Sequence, residues 1–203
     1  MNYVYTKSYV SPEVNQREIL RYIGAREATP EVLALVRECI SEAEDKLAYR
    51  VCYGEFSLSV GESIMLGDIE IKSKDLKKNL SGCTSAIVFA ATVGIGIDRL
   101  IARYLPVSPA KALVLDGIGA ERVESLCDRF NGDMAQAKAL EGCSLRPRFS
   151  AGYGDFNIEV QRDIFRLLDC PKKLGLSLND SMLMSPSKSV TAIIGVCETQ
   201  EKK

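Results

Sequence analysis

The chain predicts an α+β fold, one domain over residues 1–203 with a mainly antiparallel, twisted sheet and several helices. Three observations carry this: strand-like segments of period two grouped early, helical periodicities interspersed among them, and connections of hairpin type. At 203 residues and 22.3 kDa the chain is long enough for one sizeable core. No internal repeat, low-complexity tract or long linker divides it.

After a few strand-like residues, Ser11-Pro12-Glu13 predicts a helix start, with Ile19, Leu20 and Ile23 as an apolar stripe that stops at Gly24. Thr29 as N-cap, Pro30 in the first turn and Glu31 near the positive end of the dipole open a longer helix. Its stripe of Leu33, Val36, Ile40, Ala43 and Leu47 recurs at helical spacing and faces the core. At Tyr49 the period becomes two. Tyr49, Val51 and Tyr53, then Phe56, Leu58 and Val60, predict antiparallel strands, each broken by a glycine. Gly67-Asp68 between apolar runs suits a tight hairpin of type II′, and Ser73 caps a short helix through Leu80.

The unbroken apolar run Ala86 to Val93 predicts a strand buried on both faces, followed by Gly94-Ile95-Gly96 and a helix containing Leu100 and Ile101. Ser108-Pro109 begins another helix, whose broad apolar side of Leu113, Leu115, Ile118, Val123, Leu126 and Phe130 carries it to about Asn131. Gly117 and Gly119 inside it cost about 1 kcal/mol each relative to alanine, a loss that close packing against a neighbour would offset. Ile158, Gln161, Ile164, Phe165 and Leu168 mark a later helix, and Val190 to Val196 the closing strand.

Composition removes several function classes. Lys+Arg 26 against Asp+Glu 27 leaves a formal charge of -1, so no basic field argues for nucleic acid and no compact basic run for a membrane surface. The longest apolar run falls far short of a bilayer span, and the first seven residues lack the plan of a secretory signal. Seven cysteines, at 39, 52, 83, 127, 143, 170 and 197, include no Cys-x-x-Cys pair. Their odd number suits free, buried thiols in a reducing compartment, which places the chain in the cytoplasm. The absence of histidine removes imidazole bases, His-dependent triads and His-bearing zinc sites together.

Chemistry concentrates in Arg146-Pro147-Arg148-Phe149-Ser150-Ala151-Gly152-Tyr153-Gly154-Asp155. Glycines at 152 and 154 permit φ > 0 and leave peptide groups open to a ligand, while Arg148 could meet a carboxylate bidentately. The competing reading of such a stretch is a surface loop with solvated charge, and that is the reading for Arg146. A rival site is Gly94-Ile95-Gly96, since strand, Gly-x-Gly, helix opens a dinucleotide fold. Arg99 occupies the third glycine position there and no run of βαβ units follows, so a plain strand-to-helix turn is the commoner explanation.

The Arg148-x-x-x-Gly152-Tyr153 turn, the amphipathic helix after it, Leu178-x-x-Ser181-x-x-Met184-x-Pro186 and the Ser189-Val190 strand together resemble the activation domain of cobalamin-dependent methionine synthase. The resemblance is specific from Arg148 to about Val196 and weaker from Ala86 to Arg129. It implies a curved single domain that binds S-adenosylmethionine, with Arg148 on the ligand's carboxylate. The peptide groups of Ala151 and Gly152 would then read the adenine, and Tyr153 would face a corrin. It also implies a reactivation role. An electron from a reduced flavodoxin-type donor and a methyl group from S-adenosylmethionine would restore methylcobalamin from cobalt(II).

Without histidine the chain cannot supply an imidazole to cobalt, so cobalamin would be carried by a partner protein, a separate methionine synthase core or another corrinoid protein. Two features depart from the family. Its N-terminal acid would fall at Tyr22-Ile23-Gly24-Ala25, where there is none, and its C-terminal tyrosines have no match before Lys203. Amine and ribose contacts then fall to Glu121, Asp155 or Ser189, unranked, or ligand affinity is reduced or lost. The alternatives are a docking module that does not hold S-adenosylmethionine, and a nucleotide-binding enzyme built on Gly94-Ile95-Gly96.

Overall fold

Seven antiparallel strands build the frame of the α+β fold, seen in a computed structural model that describes residues 3–25 and 27–199. They are β1 (Tyr5–Ser8), β2 (Arg50–Val60), β3 (Ile64–Leu66), β4 (Ile69–Ile71), β5 (Ser85–Thr92), β6 (Cys143–Leu145) and, last in the chain, β9 (Ser189–Glu198). A small hairpin of β7 (Ser177–Leu178) and β8 (Met184–Ser185) stands apart. The order is β4-β3-β2-β5-β9-β6, and β1 shares the outer edge of β2 with β3, pairing Arg50 to Tyr53 while β3 pairs Leu58 to Val60.

Helices cover both faces of the sheet. On one face α1 (Gln16–Tyr22), α2 (Pro30–Ala43), α4 (Gly96–Tyr104) and α5 (Pro109–Leu140) pack Ile19, Val36, Leu100 and Phe130 against Val51, Phe89 and Ile194. On the other, α3 (Lys74–Asn79), α6 (Val160–Leu168) and α7 (Cys170–Leu174) bring Leu76, Ile164 and Leu174 onto Cys52, Val88 and Ile193. Strand β5 is therefore buried on both sides, as its unbroken apolar run predicts.

Three expectations about element boundaries needed correction. The period-two segment after Tyr49 is a single 11-residue strand that passes through Gly54. A Cβ there would lie 2.9 Å from the Phe56 ring and 3.2 Å from the Tyr3 carbonyl, so the glycine makes room for a ring instead of ending the strand. Helix α1 begins after Asn15, whose side chain accepts the Glu18 N–H, and not at Ser11. The carbonyls of Pro12 and Glu13 are held by the buried Arg122 guanidinium, each at 2.7 Å, which keeps that stretch extended. Helix α5 runs past Asn131 to Leu140. Its last turns have no apolar stripe but are rich in alanine, and Lys138 is tied to Glu55 (2.7 Å) and Glu141 (2.6 Å).

The remaining elements follow the pattern. Thr29 caps α2 through the Val32 N–H, and Pro30 is its first residue. Gly67 has φ +58 while Asp68 is not at positive φ, as a II′ turn requires. Gly117 and Gly119 are close-packing positions: a Cβ would sit 2.6 Å from Ile23 and 2.8 Å from Lys188. Cysteine pairing departs from the expectation of free thiols, because Cys83 and Cys197 form a disulfide where β5 and β9 run side by side. Cys39, Cys52, Cys127, Cys143 and Cys170 are free, and all but Cys143 are buried.

Candidate functional site

Residues 146–149 run beside β9 and then leave it. Arg146 donates its N–H to the Gly195 carbonyl (2.8 Å), and Phe149 and Ile193 exchange two bonds of 2.9 Å. Past Phe149 the ladder parts. The chain turns through Gly152 (φ +93) and Gly154 (φ +55), closed by Gly152 N–H to Phe156 carbonyl (2.8 Å) and Phe156 N–H to Tyr153 carbonyl (3.0 Å). Both conformations are cheap only for glycine, and a Cβ on Gly154 would run into the Asp75 carboxylate.

Asp155 clamps the turn from below by capping α3: its carboxylate accepts from the Ser73 hydroxyl (2.5 Å), the Lys74 N–H (2.7 Å) and the Asp75 N–H (3.1 Å). The Ser73 hydroxyl, followed by these peptide groups, holds the carboxyl below its ordinary range.

A cavity of about 450 Å³ opens where the ladder parts, a volume ordinary for a small-molecule site. Peptide groups along a strand alternate in direction, so Ser189 and Thr191, like Ile193, turn theirs away from β5 and toward this gap. Opposite them stands Ala151, whose N–H and C=O make no hydrogen bond among the described residues. Helix α5 contributes Glu124, α6 contributes Gln161, and Met184 closes one side.

Arg148 sits in the cavity wall with its side chain 25% exposed. Nη2 donates to Glu124 at 2.5 Å. Nη1 lies 3.2 Å from the Asp128 carboxylate but without hydrogen-bond alignment, and it is shut off from solvent with no partner. Beneath it burial pushes the Cys127 thiol up to about 12, so that group stays neutral and is no nucleophile at neutral pH.

Three of the four residues expected at the site, Arg148, Ala151 and Tyr153, line one cavity, and Gly152 does not. Tyr153 is exposed at the rim (68%), Arg148 and Ala151 line the cavity, but the Gly152 N–H is spent inside the turn and only its carbonyl stays open. Of the three unranked acceptors, Ser189 lines the cavity. Glu121 is buried against Arg122, each 2% exposed, and Asp155 is the α3 cap. Arg146 is an exposed side chain that donates to the Ser81 carbonyl. Residues 22–25 end α1 and pack on α5 at Gly117, and Tyr22 lines a smaller neighbouring pocket with Glu124 and Asp128.

Glu124 and Gln161 were not foreseen as site residues. Gln161 is 4% exposed, donates to the Met182 carbonyl (3.0 Å) and accepts from the Thr191 hydroxyl (3.4 Å). A polar residue inside an otherwise apolar stripe was the available signal for Gln161. For Glu124 it was an acid set three residues after Glu121 on a largely buried helix.

The Gly94-Ile95-Gly96 turn does not cradle phosphate in the dinucleotide manner. A Cβ on Gly96 would overlap the Lys46 carbonyl, so this glycine serves packing. Asp98 in the first turn of α4 accepts from the Ser187 N–H and hydroxyl, so the helix start is occupied by a carboxylate and a capping contact of its own chain. Among the described residues no group of three His, Cys, Asp or Glu could hold a metal, and no helix is long and apolar enough to cross a membrane.

No family model matches the chain, and no curated protein sequence matches it either. Among solved structures it is similar to the MetH reactivation domain bound to AdoHcy, at a TM-score of 0.65 and 14% identity, over 98% of this chain and 80% of that one. The chain therefore has the fold of the MetH reactivation domain.

Proposed function

We propose that the chain binds S-adenosylmethionine in the cavity beside residues 148–153. On this reading it serves in trans as a reactivation component for a cobalamin-dependent methionine synthase core or another corrinoid protein. The observation that carries the reading is Arg148, a partly exposed guanidinium in the wall of that cavity, paired with Glu124. The similar solved domain is bound to AdoHcy, the demethylated form of the same ligand.

The residues present fit the ligand. Glu124 turns from Arg148 toward the ammonium, in place of the acid missing at residues 22–25, and the freed Arg148 Nη2 takes the carboxylate. The open peptide of Ala151 reads the adenine edge, and the hydroxyls of Ser189 and Thr191 face the ribose. When bound to its carrier, cobalamin supplies the cobalt that accepts the methyl group, with the electron from a reduced flavodoxin-type donor. The chain's own part is to orient the sulfonium and exclude water while Tyr153, exposed at the rim, meets the corrin face.

Calorimetry with S-adenosylmethionine should show saturable binding that Arg148→Ala weakens about tenfold or more. Added to a cobalt(II) methionine synthase core with reductant and S-adenosylmethionine, the chain should restore the methylcobalamin spectrum with release of S-adenosylhomocysteine, and the variant should not. Equal binding and reactivation by the variant would remove the assigned role. A second reading, a docking module that holds no ligand, is favoured by one observation: Arg148 Nη2 is already paired with Glu124. Equilibrium dialysis with labelled S-adenosylmethionine separates the two.

A further inference from the structure

A second cavity of about 450 Å³ lies beside the first. Arg50, Thr92 and Ser189 are opposite one another across β2, β5 and β9, so their side chains share one face of the sheet. Thr92 lines the second cavity and Ser189 the first, with their hydroxyls 2.9 Å apart.

The charge in the two cavities differs. In the first, Arg148 is matched by Glu124. In the second no acidic residue lines the wall, and Arg50 is the charged residue there. Its Nη2 donates to the Lys173 carbonyl at 2.7 Å, and among the described residues no carboxylate lies within 4.0 Å of the guanidinium. The Lys173 ammonium is turned to the Val4 carbonyl, and the nearby Asp98 carboxylate is engaged by the Ser187 N–H and hydroxyl, so the Arg50 guanidinium carries the charge of the wall. Ser177 and Ser185 are cross-strand partners in the β7–β8 hairpin, so their side chains stand together on one side of it. Both line the cavity, and neither hydroxyl has a partner among the described residues.

A half-buried guanidinium without a counter-ion, facing two unengaged hydroxyls, matches a tetrahedral oxyanion. The planar fork takes two oxygens and the hydroxyls donate to a third. We propose that this cavity is a phosphoryl-binding site, formed by Arg50, Ser177 and Ser185, that holds inorganic phosphate or the phosphate of a monoester. It uses no Gly-x-Gly cradle, and it stands independently of S-adenosylmethionine binding in the neighbouring cavity.

The test is a nuclear magnetic resonance titration of the isotope-labelled full chain with inorganic phosphate, with adenosine 5′-monophosphate and with acetate. The expected result is saturable shifts at the amides of Gly94, Gly175, Ser177 and Ser185 with both phosphates, weakened about tenfold or more by Arg50→Gln. Because Arg50 also anchors α7, the paired variant Ser177→Ala with Ser185→Ala, at two exposed positions, is read as well, and about threefold weakening is expected. Tighter saturation by the nucleotide assigns a monoester as occupant, and equal saturation assigns free phosphate. No saturable shift at these amides, indifference to both variants, or acetate saturating as tightly as phosphate would overturn the proposal.

Discussion

Arg148 and Glu124 form an ion pair whose partners are 25% and 41% exposed, which makes it weak as a source of stability and available for exchange with a ligand. Glu124→Gln is therefore expected to change the melting temperature little while weakening S-adenosylmethionine binding about tenfold, since an ammonium loses its anionic partner. Calorimetry on a variant that stays folded checks both halves. Asp155 carries a different expectation. Its folded carboxyl is lowered, first by Ser73, so its contribution is present above the unfolded value of about 3.9 and is lost as pH falls below it. Asp155→Asn should melt lower than the parent at neutral pH, and the gap should close in acid; a constant gap across the acid limb would refute the capping role.

At the scale of elements, glycines record contacts that helices and turns make with one another. Gly117 lets α5 meet α1 at Ile23, and alanine there would bring a methyl group to 2.6 Å of a side-chain carbon. The gain in helix propensity of about 1 kcal/mol is set against overpacking of about 1–3 kcal/mol, so a net loss is expected in urea unfolding of Gly117→Ala. Gly96→Ala forces α4 away from Lys46, and it should lower stability while leaving S-adenosylmethionine affinity unchanged in any molecule that folds. Loss of ligand binding by a folded Gly96 variant would revive the nucleotide reading. The Glu121–Arg122 pair acts between elements too, tying residues 12–15 to α5. Arg122→Leu leaves the buried Glu121 without its cation, with only the Asn15 N–H and Ser125 hydroxyl as donors, and the expected cost is about 3–5 kcal/mol by denaturant titration.

Across the whole molecule, the disulfide joins residues 114 apart in sequence at the end of the sheet away from the cavity. Alkylation of the unfolded, unreduced chain should therefore modify five thiols, with the other two appearing only after reduction. Much of this architecture was legible in the chain. Periodicity located α2, α3, β5 and the β3–β4 hairpin because each is specified by neighbours close in sequence: Thr29 with Pro30, Ser73, and Gly67. That Arg148, Ala151 and Tyr153 lie together was legible for the same reason, since one turn holds them all beside a cavity. By itself, then, the sequence determined the local elements, the α+β class and the cation of the site, all of which are settled within a few residues. Only the tertiary structure decided that β2 is one strand, that α1 starts at Gln16, that Gly152 spends its N–H inward, that Glu124 pairs with Arg148, and that Gln161 lines the same cavity. Those outcomes depend on contacts between residues distant in sequence, where Arg122 claims carbonyls and β9 offers an open edge, and no local pattern encodes which distant partner arrives.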